Sequence, residues 1–308
     1  MAGFGEQKEI NKKRAQQKPQ TSGDSLLKKA INYHIQGDLK NAEKAYIEAI
    51  DSGLTNVAVF SNLGVIYQAT QRADKAERFF KKAIEINPNH ADPYTNLGGL
   101  YKDLGNLNQA LAYTLKSLEL KPDNPEAHLN RGIIYKKLGN LDQALTFTLK
   151  SLELKPDNPD AHMNLGIIYK DLGNLDQALA STLKSLELKP HNSTAYLNLG
   201  SIYKDLRDLD QALASTLKSL ELKPDNPYAH MNLGSIYQDL GNFDQALAST
   251  LKSLELKPEG SQALCKLGLI KMALGKTEEA RRDLLISIER NNQEFEAYYA
   301  LSLSLIHI

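Results

Sequence analysis

The chain lacks the cysteines of disulfide-rich and zinc-binding proteins, and it lacks the excess of positive charge that is typical of nucleic-acid-binding proteins. It has one cysteine and no tryptophan in 308 residues, and its 37 Lys and Arg residues balance 37 Asp and Glu residues. A lone Cys265 excludes an internal disulfide framework and a cysteine-based zinc site. A net charge of zero is not typical of general nucleic-acid binders, which present a basic surface. We therefore expect no specific nucleic-acid partner.

Long apolar runs are also missing. No segment approaches the roughly 18 consecutive apolar residues of a membrane-spanning helix, and the N-terminus lacks the apolar core of a signal peptide. We therefore expect no membrane span and a cytoplasmic location. Residues 1–22 are polar and basic, with Lys8, Lys12 and Arg14 among their charges, and they predict a disordered basic tail. This tail is either a plain solvated segment or an arm for a membrane, a nucleic acid or an acidic partner.

Repetition is what the chain has in abundance. The octapeptide Leu-Lys-Ser-Leu-Glu-Leu-Lys-Pro occurs at 115–122, 149–156, 183–190, 217–224 and 251–258, each copy 34 residues after the last. In that frame, eight tandem repeats follow one another without insertion: 23–56, 57–90, 91–124, 125–158, 159–192, 193–226, 227–260 and 261–294. Residues 295–308 form an incomplete ninth repeat or a terminal helix.

Each repeat has the pattern of two helices joined by a turn. In the repeat 159–192, apolar residues follow a helical period up to Gly173 at repeat position 15, and this glycine is placed to end the first helix. A second amphipathic run ends before Pro190 at position 32, because proline cannot continue a helix. The departures from the pattern are few. Arg131 replaces leucine at position 7, and Gln71 and Arg207 replace glycine at position 15, where a left-handed backbone would cost each about 1 kcal/mol.

The spacing of these residues resembles the tetratricopeptide repeat over residues 23–308. One repeat carries every characteristic position, as Leu165, Gly166, Tyr169, Gly173, Ala178 and Pro190. The resemblance implies an all-α fold, a right-handed α-solenoid superhelix of 34-residue helix-turn-helix repeats. It also implies a scaffold that binds a protein or peptide partner and needs no cofactor.

One stripe of each first helix is the candidate peptide-binding surface. At about 100° per residue, positions 2, 6, 9 and 13 share one side of the helix, and positions 4, 7, 8 and 11 form the packed side. In solenoids of the family that this chain resembles, the first helices line the concave groove. Position 6 of this first-helix stripe is asparagine in six successive repeats, which we call the asparagine ladder: Asn62, Asn96, Asn130, Asn164, Asn198 and Asn232.

Two interpretations of the ladder stand. A side-chain amide offers both a donor and an acceptor, so it matches a peptide backbone of any sequence. Six rungs about 8–10 Å apart would span roughly 40–50 Å, or about 12–15 extended residues. The ladder is similar to the one in the superhelix of O-linked N-acetylglucosamine transferases, where the asparagines contact substrate and partner peptides. The other interpretation is that asparagine at position 6 bridges adjacent repeats.

The rest of the stripe is mostly acidic. The acidic residues are Asp92, Glu126 and Asp160 at position 2, and Asp103, Asp171, Asp205 and Asp239 at position 13. They predict a mild preference for basic segments. The lysines at position 12 flank the stripe and would neutralise it in part, so a mixed, solvated surface is the alternative.

Residues with catalytic or metal-binding character fall at ordinary repeat positions. His128, His162 and His230 all occupy position 4 on the packed side, and neighbours a repeat or more apart are too distant to share a metal ion. The segment Gly275-Lys276-Thr277 lacks the earlier glycine and the strand of a phosphate-binding loop. We therefore expect no metal, no catalytic residues and no enzymatic activity.

The sequence thus predicts a non-catalytic scaffold that holds an extended peptide or protein segment. One alternative is the substrate-recruiting region of a truncated O-GlcNAc-type glycosyltransferase or another transferase. The apolar segment 295–308 has no second helix to cover it, so either the chain forms a homodimer through this end or the protein continues. A second alternative is a chaperone adaptor that clamps a carboxylate, but position 6 is lysine only at Lys28 and Lys266, which are far apart.

Overall fold

Amphipathic runs bounded by glycine turns and prolines account for the fold. The computed structural model describes residues 23–306, with side chains described up to Ser302, and these residues form seventeen helices and no strand. The predicted basic tail, residues 1–22, lies outside the described residues. The predicted all-α solenoid of helix pairs is confirmed. The helices fall into two compact units, one ending at Pro156 and the other beginning at Asp157.

The first unit contains eight helices among the described residues. These are α1, described over residues 23–35, then α2 (Leu39–Asp51), α3 (Val57–Ala69), α4 (Ala73–Ile86), α5 (Ala91–Asp103), α6 (Leu107–Leu120), α7 (Pro125–Lys137) and α8 (Leu141–Leu154).

The second unit contains nine helices among the residues that the structure describes. These are α9 (Pro159–Asp171), α10 (Leu175–Leu188), α11 (Ser193–Asp205), α12 (Leu209–Leu222), α13 (Pro227–Asp239), α14 (Phe243–Leu256), α15 (Ser261–Ala273), α16 (Thr277–Arg290) and α17 (Phe295–Ile306).

The same packing scheme recurs within each unit. A first helix, with an odd number, packs against the second helix that follows it, and that second helix contacts the first helix of the next repeat. The first helices also contact one another in sequence: α3 contacts α5 and α5 contacts α7 in the first unit, and each odd-numbered helix from α9 to α15 contacts the next one in the second. The first helices therefore form a continuous layer within each unit, which places their stripes side by side.

Local sequence signals explain where the helices begin and end. The side chains of Asn192 and Asn226 accept hydrogen bonds from the backbone N–H groups two and three residues ahead, which caps α11 and α13. At position 15, Gln71 and Arg207 adopt φ angles of 59° and 66°. Both non-glycine residues are therefore in the left-handed conformation that the sequence predicted for this position.

The two helices of a repeat approach closely at position 8. A Cβ added to Gly200 would lie 2.3 Å from the hydroxyl oxygen of Thr216 at position 24, and one added to Gly64 would lie 2.5 Å from the ring of Phe80. Thr216 and Phe80 are both fully buried. In these two repeats the side chain at position 24 therefore leaves no room for a Cβ at position 8, whether that side chain is polar or aromatic.

Candidate functional site

The asparagines of the second unit form hydrogen bonds between adjacent repeats. The amide of Asn198 on α11 donates to the hydroxyl of Thr182 on α10 over 3.0 Å, and Asn232 on α13 donates to Thr216 on α12 over 3.0 Å. Both threonine side chains are fully buried. Each bond thus joins the first helix of one repeat to the second helix of the repeat before it.

Two asparagines of the first unit form the same kind of bond. The amide of Asn62 donates over 3.0 Å to the phenolic hydroxyl of Tyr46, which occupies position 24 of the preceding repeat. Phe80 has no hydroxyl at that position, and Asn96 donates instead to Ser61 on the preceding first helix, again over 3.0 Å. For Asn62 and Asn96 the partner therefore differs with the side chain at position 24 of the preceding repeat.

Asn130 and Asn164 are the most buried members of the ladder, with 6% and 4% of their surface exposed. The amide nitrogen of Asn130 lies 3.5 Å from the carbonyl oxygen of Thr95, and its side-chain oxygen accepts a hydrogen bond of 3.1 Å from Lys102. The other four asparagines are partly exposed. This geometry supports the interpretation that the ladder bridges repeats, and it leaves four members with surface that a ligand could reach.

The acidic residues predicted for the stripe are all exposed. Two of them contact position 12 of the preceding repeat: Asp103 accepts from the amide of Gln68 over 3.0 Å, and Asp205 lies 3.4 Å from the ammonium group of Lys170. Exposed pairs of this kind contribute little to stability. The lysines lower the negative charge of the stripe at these two places: Lys170 does so at Asp205, and Lys102, 3.5 Å from Asp103, does so there.

Two of the histidines predicted for the packed side contact the backbone of the preceding repeat. The Nε2 atoms of His128 and His230 lie 2.9 Å from the carbonyl oxygens of Pro122 and Pro224, one from each preceding repeat. Burial raises the pKa of the Cys265 thiol to about 12, so this thiol is uncharged at neutral pH and a poor nucleophile. In the described part of the chain, no three His, Cys, Asp or Glu side chains cluster as metal ligands.

Sequence reasoning did not find the partners of the asparagines. The usable signal was the hydroxyl at position 24 of the repeat that precedes Asn62, Asn198 or Asn232. Asparagine at position 6 and a hydroxyl at position 24 occur together there because the two side chains meet.

Within the described range 23–306, the structure contains no helix long and apolar enough to cross a bilayer.

Three family models match the sequence, all of them described as tetratricopeptide or TPR repeat models. They match residues 55–123, then 125–158, 159–192 and 227–259, then 200–241. Between residues 55 and 259, only 124 and 193–199 fall outside a match. The chain belongs to the tetratricopeptide repeat family. Members of this family are typically interaction scaffolds, and the fold of this chain suits it to protein–protein interaction. No curated protein sequence matches the chain.

Solved structures of the same fold are similar to this tetratricopeptide repeat protein. A chain in the crystal structure of the APC/C hetero-tetramer Cut9-Hcn1 matches with a TM-score of 0.79 at 18% identity, over 91% of this chain and 55% of that one. A tetratricopeptide repeat protein from Parabacteroides merdae matches at 0.60 and 22% identity, over 81% and 99% of the two chains. Pseudomonas aeruginosa pilF matches at 0.57 and 19%, over 67% and 94%. At these identities the likeness is one of fold alone.

Proposed function

We propose that the chain is a non-catalytic scaffold that binds an extended peptide or protein segment along the first-helix stripe through the asparagine ladder. The observation that carries this proposal is the bond from each of Asn198 and Asn232 to a buried threonine. This bond uses one N–H of the amide and holds the group in one orientation. The side-chain oxygen and the second N–H remain for the main chain of a ligand.

Pre-orientation makes such a group a better ligand for peptide than a free surface asparagine. A side chain that is ordered before binding loses less conformational entropy when the ligand arrives. Asn198 and Asn232 lie on the contacting helices α11 and α13. Packed helices are about 8–10 Å apart, so successive rungs would match about every third residue of an extended chain.

The exposed carboxylates bias the choice of segment. Asp160, Asp171 and Asp239 form no ion pair with the residues that the structure describes. A segment with Lys or Arg at matching places would gain association rate from these charges, and salt would weaken that gain. The chaperone-adaptor alternative gains no support, because Lys266 at position 6 is paired with Glu296 at 2.8 Å.

The test uses a phage-displayed library of random 12-residue peptides, selected on the full chain. The affinity of the selected peptides is then measured by calorimetry for the wild type and for the triple variant Asn96→Ala, Asn198→Ala and Asn232→Ala, which changes three of the partly exposed asparagines. We expect at least tenfold weaker binding by the triple variant, since alanine at interface hot spots typically costs more than about 1.4 kcal/mol.

A matched control removes two asparagines that lie off the stripe. Asn174 and Asn242 precede α10 and α14 and form no side-chain capping bond, so the pair Asn174→Ala and Asn242→Ala should keep the wild-type affinity within about twofold. Circular dichroism verifies that both variants are folded. Equal affinities of the folded triple variant and the wild type would refute the role of the ladder.

A further inference from the structure

A pocket of about 160 Å³ lies beside the ladder in the second unit, where α13 and α15 begin. The lining residues that matter here are Tyr228, Met231, Lys257, Gly260, Ser261 and Gln262. Tyr228 is at position 2 of the stripe and precedes Asn232 by four residues, so the two side chains share one face of α13. The pocket is therefore next to a rung of the ladder.

Tyr228 is held in place although it is exposed. Its side chain is at the position that is acidic in three earlier repeats, and 51% of its surface is accessible. The ammonium group of Lys257 donates a 2.7 Å hydrogen bond to the Tyr228 hydroxyl and lies 4.8 Å from the ring centroid. This cation–π contact fixes the ring at the mouth of the pocket. Ordered, exposed tyrosines are frequent among the residues that dominate binding energy.

The pocket exists because one side chain is missing. In the repeat 159–192, the amide of Asn192 at position 34 lies 3.8 Å from the sulfur of Met163 at position 5. In the repeat 227–260, position 5 is Met231 and position 34 is Gly260. Gly260 has φ and ψ of −71° and 95°, a region that asparagine also adopts. The space beside Met231 is thus open where an asparagine covers the equivalent methionine two repeats earlier.

We propose that this pocket binds an aromatic side chain of the segment that lies along the first-helix stripe, an inference that rests on the proposed function. Its volume is close to the roughly 150 Å³ of an engineered protein cavity that admits benzene. An incoming ring would lie against the ring of Tyr228 and the sulfur of Met231, both favourable contacts. The charges of Lys257 and Glu259 in the lining balance, which favours a neutral occupant over a charged one.

The first test uses p-cresol, the tyrosine side chain alone, and needs no peptide. The chain has four methionines, Met1, Met163, Met231 and Met272, so their ¹³C-labelled methyl groups give a simple spectrum of the full protein. We expect p-cresol to shift the Met231 methyl resonance saturably and to leave that of Met163 in place. Gly260→Asn, which restores the side chain found in the other repeat, and Tyr228→Asp, which restores the acid, should each abolish the shift.

The second test uses the selected 12-residue peptides. We expect an aromatic residue among them whose change to alanine weakens binding at least tenfold to the wild type and has little effect on binding to Gly260→Asn. The proposal is overturned by an absent Met231 shift, by equal shifts at Met163, or by p-cresol binding without any effect of Gly260→Asn on peptide affinity. The role of the ladder in peptide binding is tested separately, by the peptide affinity of the triple asparagine variant.

Discussion

Position 24 of the repeat is aromatic in the first two repeats, which belong to the first unit, whereas it is threonine in the next five repeats and leucine, Leu284, in the last full repeat. Tyr46 and Phe80 belong to one hydrophobic cluster of the first unit, whereas Thr182 and Thr216 accept hydrogen bonds from the ladder. All four side chains are fully buried. The buried contact between the two helices of a repeat, which we call the seam, therefore tolerates either an apolar or a polar side chain at position 24. It tolerates a hydroxyl even without a partner, because those of Thr114 and Thr250 are buried and form no hydrogen bond in the described structure.

Position 23 differs in the same way. In the first unit, Tyr113 stacks on Tyr101 with ring centroids 5.4 Å apart and planes 11° apart. In the second unit the equivalent residues are serines such as Ser181 and Ser215, and the last full repeat pairs Lys271 with Asp283 at 2.7 Å instead. At positions 23 and 24, therefore, the start of the first unit buries aromatic rings where the second unit mostly has hydroxyl groups, and we expect the two regions to draw differently on apolar burial and on hydrogen bonds.

Shortening Phe80 and Thr216 to alanine separates these two sources of stability. Phe80→Ala leaves a cavity in an apolar core and should lower the free energy of unfolding by about 3–5 kcal/mol. Thr216→Ala removes a small side chain and leaves the Asn232 amide without its partner, for a loss of about 1–2 kcal/mol. Urea unfolding gives the size of each loss, and amide hydrogen exchange locates it in α3 and α4 or in α11 and α12. Equal losses of unfolding free energy in Phe80→Ala and Thr216→Ala would contradict the distinction between apolar packing at Phe80 and hydrogen bonding at Thr216.

Gly200→Ala tests whether the polar seam is as tightly packed as the apolar one. The added methyl group would lie 2.3 Å from the Thr216 hydroxyl oxygen and 3.1 Å from the backbone oxygen of Ala212. We expect a loss of about 1–3 kcal/mol by urea unfolding. Because Thr216→Ala removes the nearer atom, the double variant should be more stable than the sum of the single losses predicts. Strict additivity would mean that the two side chains do not compete for this space.

Acidification should distinguish the first unit from the region around the ladder in the second, because the bonds from Asn198 to Thr182 and from Asn232 to Thr216 involve only uncharged groups. In the first unit, Arg72 donates hydrogen bonds of 2.8 and 2.6 Å to Glu43 and lowers the pKa of that carboxyl. A lowered pKa stabilises the fold above the pKa of the unfolded chain, and this contribution is lost as the pH falls through the folded value. Partial exposure limits it to about 1 kcal/mol.

Glu43→Gln is the matched change for this pH dependence. Hydrogen exchange of α2 to α4, measured between neutral and acidic pH, should depend less on pH in the variant than in the wild type. The bond from Asn232 to Thr216 gives α12 no such dependence, so the variant should leave α12 as it is in the wild type. An unchanged pH response of α2 to α4 would show that the Glu43–Arg72 pair does not stabilise the first unit.

A backbone change should affect both units alike. Gln71 in the first unit and Arg207 in the second adopt left-handed conformations that glycine accepts at lower cost. Gln71→Gly and Arg207→Gly should each raise stability by about 0.5–1 kcal/mol after the greater entropy of the unfolded glycine is allowed for. The urea midpoint measures both. If only one of the two variants gained stability, the energetic cost of these residues would depend on the packing around them and not on their left-handed backbone.

The helix pairs could be predicted from the sequence because their signals are local. Gly173 and Pro190 lie at the ends of helices, and each acts through its own backbone geometry. The left-handed backbone of Arg207 followed from its place in the repeat. The 34-residue period then carried these local signals across the chain.

The partners of the ladder could not be predicted in the same way. Asn232 and Thr216 are sixteen residues apart on different helices, and their contact depends on how adjacent repeats pack. Helix propensity gave no reason for asparagine at position 6, and the missing reason at Asn62, Asn198 and Asn232 was a buried hydroxyl in the preceding repeat. The pocket beside Tyr228 was missed for a related cause, since it arises from the absence of a side chain at Gly260.

The most direct measurement is the peptide affinity of Thr216→Val, compared with that of Asn232→Ala. Thr216 is fully buried and cannot touch a ligand, but its hydroxyl orients the Asn232 amide. If oriented asparagines bind the segment, both variants weaken the binding of a selected 12-residue peptide, and the double variant binds no more weakly than Asn232→Ala alone. If Thr216→Val keeps full affinity while Asn232→Ala loses it, orientation by the seam is irrelevant to binding. If Asn232→Ala also keeps full affinity, Asn232 serves only to join the repeats.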